Sequence, residues 1–273
     1  MAPLLDRRQF TLGASAWALL AAAHGSALAN PSTGEELAPA EARIRSLLLQ
    51  TATPLATLED FYHRTLGLPV AKPAPERLTV QAGDSEITFA PAAPGVGEPF
   101  YHVAFNIPEN KLLAAREWLR PCLTLLPPNA GNLNDPSFPD DVTHFAHWNA
   151  HSLFFWDPAG NLLECIARHD LRNSAPGAFT SADLLCASEI GFITDAVPQT
   201  AQELQQAFGL AQYRGGSDQF RALGDEHGLV LVIGTGRNWW GKSTRIFPTA
   251  AGLRGDRSLR HVVARLPHEI VMR

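Results

Sequence analysis

The sequence has few cysteines, few basic residues and no long apolar run. Its three cysteines, Cys122, Cys165 and Cys186, are odd in number and irregularly spaced, so neither a disulfide framework nor a zinc cluster is indicated. Lysine and arginine number 22 against 27 acidic residues, and no basic face is evident, which argues against nucleic acid as a partner. The longest apolar stretch, Thr11 to Ala23, is shorter than the roughly 20 residues that a membrane-spanning helix needs.

The first 29 residues have the pattern of an export signal. A short basic segment ends in Arg7-Arg8, the apolar stretch follows, and Ala27-Leu28-Ala29 fits a small-residue cleavage site. The string Asp-Arg-Arg-Gln-Phe-Thr-Leu resembles a twin-arginine signal, which a receptor reads and which does not anchor the protein. We therefore expect a periplasmic protein with no membrane association after removal of the signal. One disulfide bridge is a further possibility in that oxidising compartment. An amphipathic N-terminal helix is the alternative.

A predicted hairpin between His151 and Ala167 carries the most informative residues. Two β-rich runs, 151–156 and 162–167, flank Asp157-Pro158-Ala159-Gly160-Asn161, in which Pro fixes φ and Gly permits positive φ. The runs are therefore predicted to be adjacent antiparallel strands. Glu164 lies inside the second, apolar run, where a carboxylate is costly unless it is paired, hydrogen-bonded or bound to a metal.

The chain after the leader repeats one order of predicted elements, a strand, a helix and further strands. The first unit has a strand at 43–52, a helix at 53–67 and strands at 78–81 and 86–90. The second unit has a strand at 100–107, a helix at 108–119, a long loop at 121–141 and the hairpin. The third unit has a strand at 188–194, a helix at 197–208 and strands at 219–223 and 229–233. Residues 260–267 echo residues 101–108, with His261 matching His102, so a fourth unit is predicted as its first strand alone.

The turn followed by Glu164, and the string Phe61-Tyr62-His63-Arg64-Thr65-Leu66-Gly67-Leu68, resemble modules of the vicinal-oxygen-chelate superfamily, which includes glyoxalases, bleomycin-resistance proteins and extradiol dioxygenases. The resemblance implies an α+β fold of repeated βαβββ modules. It implies a complete two-module barrel at 43–170 and a truncated half at 182–273 made of one module plus one strand. Residues 30–42, which are rich in Pro, Ala, Ser and Glu, are predicted to be a linker.

In the metal-dependent relatives, ligands come from the first and last strands of paired modules. The matching residues here are His102 and Glu164, with His151 as a third ligand or an acid–base group and with His144 and His147 as weaker candidates. In the incomplete half, Glu189 and His261 align with the first-strand ligand position. Leu47, Ile87 and Val232 align with ligand positions too, but these apolar residues cannot bind a metal. A hydrogen-bonded pair of His102 and Glu164 without a metal, and a hydrogen bond from His151 to a loop, are the alternatives.

The resemblance implies a metal-dependent small-molecule enzyme of the extradiol-dioxygenase type, with Fe(II) favoured and Mn(II) or Zn(II) as alternatives. Two other functions stay open. One is a metal-free protein that sequesters a ligand, as bleomycin-resistance proteins do, and the other is a glyoxalase-like lyase or isomerase. The partner is expected to be a small-molecule substrate or ligand. An unpaired strand edge in the third unit is expected to be covered in a homodimer or by the loop at 121–141.

Overall fold

A computed structural model describes residues 42–129, 135–255 and 258–273. The predicted leader and all but the last residue of the predicted linker lie outside the described residues, so export stays a prediction. Among the helices of the described ranges, none has the length and apolar character needed to cross a membrane. Cys122, Cys165 and Cys186 are all free thiols.

Strands dominate the described residues, and helices are few and short. The strands are β1 (Arg43–Thr51), β2 (Val70–Ala71), β3 (Leu78–Ala82), β4 (Ser85–Pro91), β5 (His102–Ile107), β6 (Thr143–Phe145), β7 (Ala150–Trp156), β8 (Leu162–Arg168), β9 (Cys186–Thr194), β10 (Gln212–Ser217), β11 (Phe220–Asp225), β12 (Gly228–Gly234), β13 (Asn238–Trp239), β14 (Lys242–Ser243), β15 (Thr249–Arg254), β16 (Leu259–Val262) and β17 (His268–Met272). The helices are α1 (Leu55–Glu59), continued by a π-helix over Asp60–Thr65, α2 (Leu112–Leu119) and α3 (Val197–Phe208), with 3₁₀ turns at Ala146–Trp148 and Ser181–Asp183.

Local sequence signals explain the elements that were predicted well. Helix α3 has Pro198 in its first turn and ends at Gly209, whose φ of 69° is readily adopted by glycine. The predicted hairpin is confirmed, since β7 and β8 pair antiparallel with Phe154 opposite Glu164. Its turn closes at Gly160, with φ of 76°. The α+β class built from βαβββ units is therefore confirmed.

The pairing of the units differs from the prediction. Strand β5 of unit two pairs antiparallel with β9 of unit three, which gives an eight-stranded sheet in the order β10-β11-β12-β9-β5-β8-β7-β6. Strand β1 of unit one pairs with β15, which gives a seven-stranded sheet in the order β16-β17-β15-β1-β4-β3-β2. Residues 43–170 therefore do not form one closed pair of units. The first strand of a unit pairs on one edge within its own unit and on the other edge with a different unit. A sequence repeat does not determine which unit supplies that second partner.

The fourth unit is larger than the single strand that was predicted. It contributes β15, β16 and β17, and β15 runs parallel to β17 as β5 runs parallel to β8. Its first strand, Thr-Ala-Ala-Gly-Leu-Arg, has little of the β-branched and aromatic content by which strands are recognised. His261 consequently lies on β16, not on a first strand, and pairs with Glu203 of α3.

Two large apolar clusters and a small one, Ala104 with Ala150 and Ile166, divide the interior of the described residues. The main core joins the helices to one face of each sheet and contains Leu47, Ile87 and Val232, so these residues point away from the other face of their sheets. The second cluster covers the opposite face of the eight-stranded sheet, where Phe154, Leu162, Tyr213, Leu231 and Trp239 are buried. Burial of this second cluster makes the face that carries His102 and Glu164 a closed, largely apolar environment.

Candidate metal centre

Three neighbouring strands of the eight-stranded sheet place one histidine and two glutamates together. Ala104 of β5 is the register partner of Glu164 on β8 and of Glu189 on β9, so the two glutamates flank β5 on one face. His102 lies two residues before Ala104 and therefore projects from the same face of β5. His102, Glu164 and Glu189 are called the His–Glu–Glu triad below.

The polar atoms of the triad converge on the Nε2 atom of His102. This nitrogen is 3.3 Å from an oxygen of Glu164 and 3.5 Å from an oxygen of Glu189. The Nδ1 atom lies 3.1 Å from the carbonyl oxygen of Leu162, to which it donates its hydrogen. That bond fixes the ring with Nε2 facing the carboxylates, as is usual for metal-binding histidines.

Burial makes the electrostatics of the triad strong. His102 is 6% exposed, and Glu164 and Glu189 are each 2% exposed. Burial alone lowers the pKa of His102, but hydrogen bonds and charge from the two glutamates outweigh it and raise the pKa to about 10. Burial raises the pKa of Glu164, and the negative charge of Glu189 raises it further. The triad therefore holds a positive charge at Nε2 strongly, whether a proton or a metal ion supplies it.

Arg168 of β8 is the fourth charged group at this site. Its guanidinium is buried and donates to Glu189 through one terminal nitrogen and to Asn106 Oδ1, at 3.1 Å, through Nε. It also lies 5.4 Å from the centre of the Trp148 ring. The other terminal nitrogen has no hydrogen-bond partner among the described residues. Arg168 thus holds one oxygen of Glu189 and leaves the second oxygen directed at His102.

Aromatic side chains cover the triad. The ring of Trp239 lies 5.5 Å from that of His102, and the Phe154 ring lies 6.2 Å away on the sheet. Trp240 stacks near Phe154 at 5.0 Å and donates from Nε1 to the carbonyl of Pro127 at 2.6 Å. The cavity beside His102 is only about 10 Å³, room for at most one water molecule. The triad is therefore closed in this structure to molecules larger than water.

His151 does not belong to this site, which corrects its prediction as a ligand or acid–base group beside Glu164. Its register partner on β8 is Ala167, an odd number of residues from Glu164, so it projects from the opposite face of the sheet. Its ring nitrogens contact Asp135 at 3.2 Å and His169 at 2.9 Å. The contact with Asp135 is the loop hydrogen bond that the sequence left as the alternative. Burial lowers the pKa of His151, although Asp135 acts in the other direction.

Sequence reasoning assigned Glu189 to the wrong surroundings and missed Arg168. The repeat identified Glu189 as a first-strand position, but it was grouped with His261, which lies in the other sheet. A usable signal for Arg168 was present, because it follows Glu164 by four residues in an otherwise apolar strand and so shares its face. Two buried opposite charges on one strand face indicate a charged site.

Comparison with known proteins supports the fold. The chain is similar to a crystal structure described as a candidate dioxygenase from Bacillus subtilis, with 16% identity, 86% of each chain covered and a TM-score of 0.54. It is also similar to glyoxalase I from Zea mays, with 13% identity, 78% of this chain and 75% of that chain covered, and a TM-score of 0.46. No family model and no curated protein matches the sequence. The likeness to the Bacillus subtilis protein shows a shared α+β fold built of βαβββ modules.

Proposed function

We propose that the chain is an exported enzyme that acts on a small molecule with a divalent metal held by His102, Glu164 and Glu189. The observation that supports this most is the convergence of three buried donor atoms that all lie within 4.8 Å of one another. A tetrahedral metal with bonds of about 2.1 Å separates its ligand atoms by roughly 3.4 Å. The spacings of 3.3 and 3.5 Å around Nε2 match that value without movement of the backbone.

The donor set bears on the metal. One imidazole and two carboxylates suit Fe(II), Mn(II) or Zn(II), and the set has one carboxylate more and one histidine fewer than the facial triad of iron oxygenases. Fe(II) is favoured by the extradiol resemblance, and the second carboxylate keeps Mn(II) open. A bound divalent ion would act as a Lewis acid that lowers the pKa of a coordinated hydroxyl and orients vicinal oxygens.

The charges of the protein residues favour an anionic substrate group. Glu164 and Glu189 contribute two negative charges and Arg168 one positive charge, so the buried site has a net charge of −1 when His102 is neutral. A divalent cation changes this to +1, and one ionised oxygen of a substrate then makes the site neutral. Because an uncompensated charge is costly away from water, the site is expected to prefer a ligand that carries one negative oxygen.

The residues around the triad have roles apart from metal binding. Arg168 donates to one oxygen of Glu189 and so orients its other oxygen towards His102, and the bond from His102 to Leu162 keeps Nε2 free of hydrogen when the ring is neutral. Trp239 and Phe154 exclude water from the triad and offer apolar surfaces to a planar substrate. The apolar, aromatic cover suits a planar aromatic substrate, which supports ring-cleaving chemistry of the extradiol type.

Metal analysis of the purified mature protein tests this function. We expect His102→Ala and Glu164→Gln to lose one equivalent of metal and all activity on catechol-type substrates. His261→Ala is the matched control, because it removes a partly buried, carboxylate-paired imidazole from the other sheet and should keep both. Unchanged metal content and activity in Glu164→Gln would contradict the proposal. Detection of the protein in a periplasmic fraction, abolished by Arg7→Lys with Arg8→Lys, tests export.

A metal-free binding protein is the second candidate, and the charge balance is what favours it. With His102 protonated, the two glutamates are neutralised by His102 and Arg168, and the site needs no metal. Folded protein that binds a planar aromatic ligand tightly after dialysis against a chelator would support this candidate. The glyoxalase-like alternative is less well supported, because Leu231 stands where β12 would supply a further ligand on this face.

The association state is also a proposal. The eight-stranded sheet ends at β10, which belongs to the third unit, and Trp240, just beyond that unit, donates a hydrogen bond to the loop residue Pro127. This contact favours the version in which the loop covers the region within one chain, and a homodimer through β10 remains the alternative. Light scattering with size-exclusion chromatography distinguishes the two, and a concentration-independent monomer would rule out the dimer.

A further inference from the structure

A second cluster of metal-type ligands lies on the opposite face of the same sheet from the His–Glu–Glu triad. It consists of Asp135, within the long loop, and of His144 and His151, which are register partners on β6 and β7. One ligand atom from each of the three lies within 4.8 Å of the others. We propose that Asp135, His144 and His151 form a separate Zn(II)-type metal site that joins the loop to the β6–β7 hairpin.

The geometry places two donors at metal-ligand spacing and the third beside them. Asp135 Oδ2 is 3.2 Å from His151 Nε2, close to the roughly 3.4 Å between ligands of tetrahedral zinc. The rings of His144 and His151 stack with centres 4.4 Å apart and planes 6° from parallel. One ring nitrogen of the half-buried His144 lies within 4.8 Å of the ligand atoms of both Asp135 and His151. Two imidazoles and one carboxylate are ligands that Zn(II) accepts, with a fourth position left for water.

Asp135 and His151 belong to a longer row of hydrogen-bonding side chains. Asp135, His151, His169 and Glu109 form a row with three contacts, of 3.2, 2.9 and 3.4 Å in that order. Two neutral imidazoles have only one N–H each, so they can supply hydrogens for two of the three contacts. At the third contact two acceptors face one another unless a further cation lies between them.

The row allows two arrangements of its hydrogens. Without a metal, His151 Nε2 can donate its hydrogen to Asp135. With a metal at Asp135, Glu109 accepts the Nδ1 hydrogen of His169, His169 Nε2 accepts the Nδ1 hydrogen of His151, and the lone pair of His151 Nε2 is directed at the ion. This is the usual outer support of a metal-binding imidazole, whose second nitrogen donates to a partner and fixes the ring.

The presence of His144 favours a metal ion over a proton shared between Asp135 and His151. A proton between Asp135 and His151 needs only those two atoms, whereas a metal ion needs a third ligand. His144 provides it, and within the described part of the chain its ring nitrogens make no hydrogen bond. Phe138 stacks on the other side of His151 at 4.1 Å, so the ring is held in place between Phe138 and His144.

Zinc titration of the full chain after removal of metals tests the site. We expect wild type to bind zinc at this cluster, and Asp135→Asn and His144→Ala to lose that one equivalent. Both residues are partly exposed, so the variants are expected to fold, which near-ultraviolet circular dichroism checks. His147→Ala is the matched control, because it removes an exposed imidazole three residues from His144 and should bind as wild type does. The positioning variant His169→Phe should weaken zinc affinity by about 10- to 100-fold.

The design separates this site from the triad. His102→Ala should leave the Asp135 cluster able to bind its zinc, and Asp135→Asn should leave metal at the triad unchanged, so failure of either site is seen by itself. Equal zinc stoichiometry and affinity in wild type, Asp135→Asn and His144→Ala would overturn the proposal. Loss of binding in His147→Ala to the same extent as in His144→Ala would also overturn it, since the histidines would then bind as a loose surface group.

Discussion

Glu189 of β9 is the register partner of Ala104 of β5, and this antiparallel contact brings a carboxylate of the third unit to the histidine of the second. Without it, the site would consist of His102 and Glu164 alone. The contact also places Glu189 beside the buried Arg168, so that four charged groups share one face of the sheet. Assembly of the site therefore depends on which units pair, more than on either unit alone.

The Arg168–Glu189 pair is expected to be strongly coupled. Its two side chains are 0% and 3% exposed, so removal of one partner leaves the other as an uncompensated buried charge. We expect Glu189→Gln and Arg168→Met each to lower the free energy of unfolding by about 3–5 kcal/mol. The double variant should lose clearly less than the sum, as measured by urea denaturation. Additive losses in this cycle would show that the pair is not a unit.

A hydrogen bond between units one and two is expected to stabilise their packing. Tyr62, in the π-helix of unit one, donates to Asp157 Oδ2 at 2.8 Å, and both side chains are buried. Asp157 lies in the turn between β7 and β8 of unit two. Tyr62→Phe keeps the ring against Phe89 but removes the donor. We expect a loss of about 1–3 kcal/mol in the free energy of unfolding. Phe61→Leu, at a partly buried ring on the same helical turn, is the comparison and should cost less. An equal cost would show that loss of ring packing, and not loss of the hydrogen bond, explains the effect.

The indole of Trp240 is expected to hold the aromatic cover closed. Its Nε1 donates to the carbonyl of Pro127, which ties the β13–β14 hairpin to the loop. Trp240→Phe keeps a ring near Phe154 and loses this bond, worth about 1 kcal/mol, so a chelator should remove metal from the triad about fivefold faster. Trp118→Phe, at the α2–Phe179 contact, is the control and should not change the rate. Equal rates for wild type and Trp240→Phe would show that metal leaves by another route.

Local sequence patterns predicted the helices and strands named below, but they did not predict which strands of different units pair. The span of α3, the hairpin of β7 and β8 and the approach of His102 to Glu164 follow from helical spacing, turn residues and a repeat. Nothing local distinguishes the edge of β5 from that of β1, so the partners β9 and β15 could not be assigned. His151 was placed on the wrong face for a related reason, since one residue of register decides the face of a strand.

A buried histidine between the sheets is expected to make stability fall in acid. His268 of β17 donates from Nε2 to the carbonyl of Ile193 at 2.7 Å, and Nδ1 has no hydrogen-bond partner among the described residues. Burial lowers the pKa of His268 from 6.5 to about 4, an effect that the bond to Ile193 only partly offsets. Since the unfolded chain then binds more protons between these values, stability is fully present above pH 6.5 and is lost as pH falls towards 4.

This pH dependence can be isolated with His268→Gln, whose amide can donate to the same carbonyl but does not titrate. We expect wild type to lose about 3 kcal/mol more than the variant between pH 7 and pH 4. Urea denaturation at several pH values gives both curves, and the carboxylates that titrate in the same range cancel in the difference. Parallel curves for the two proteins would contradict the prediction, because they would show that folding does not change the pKa of His268.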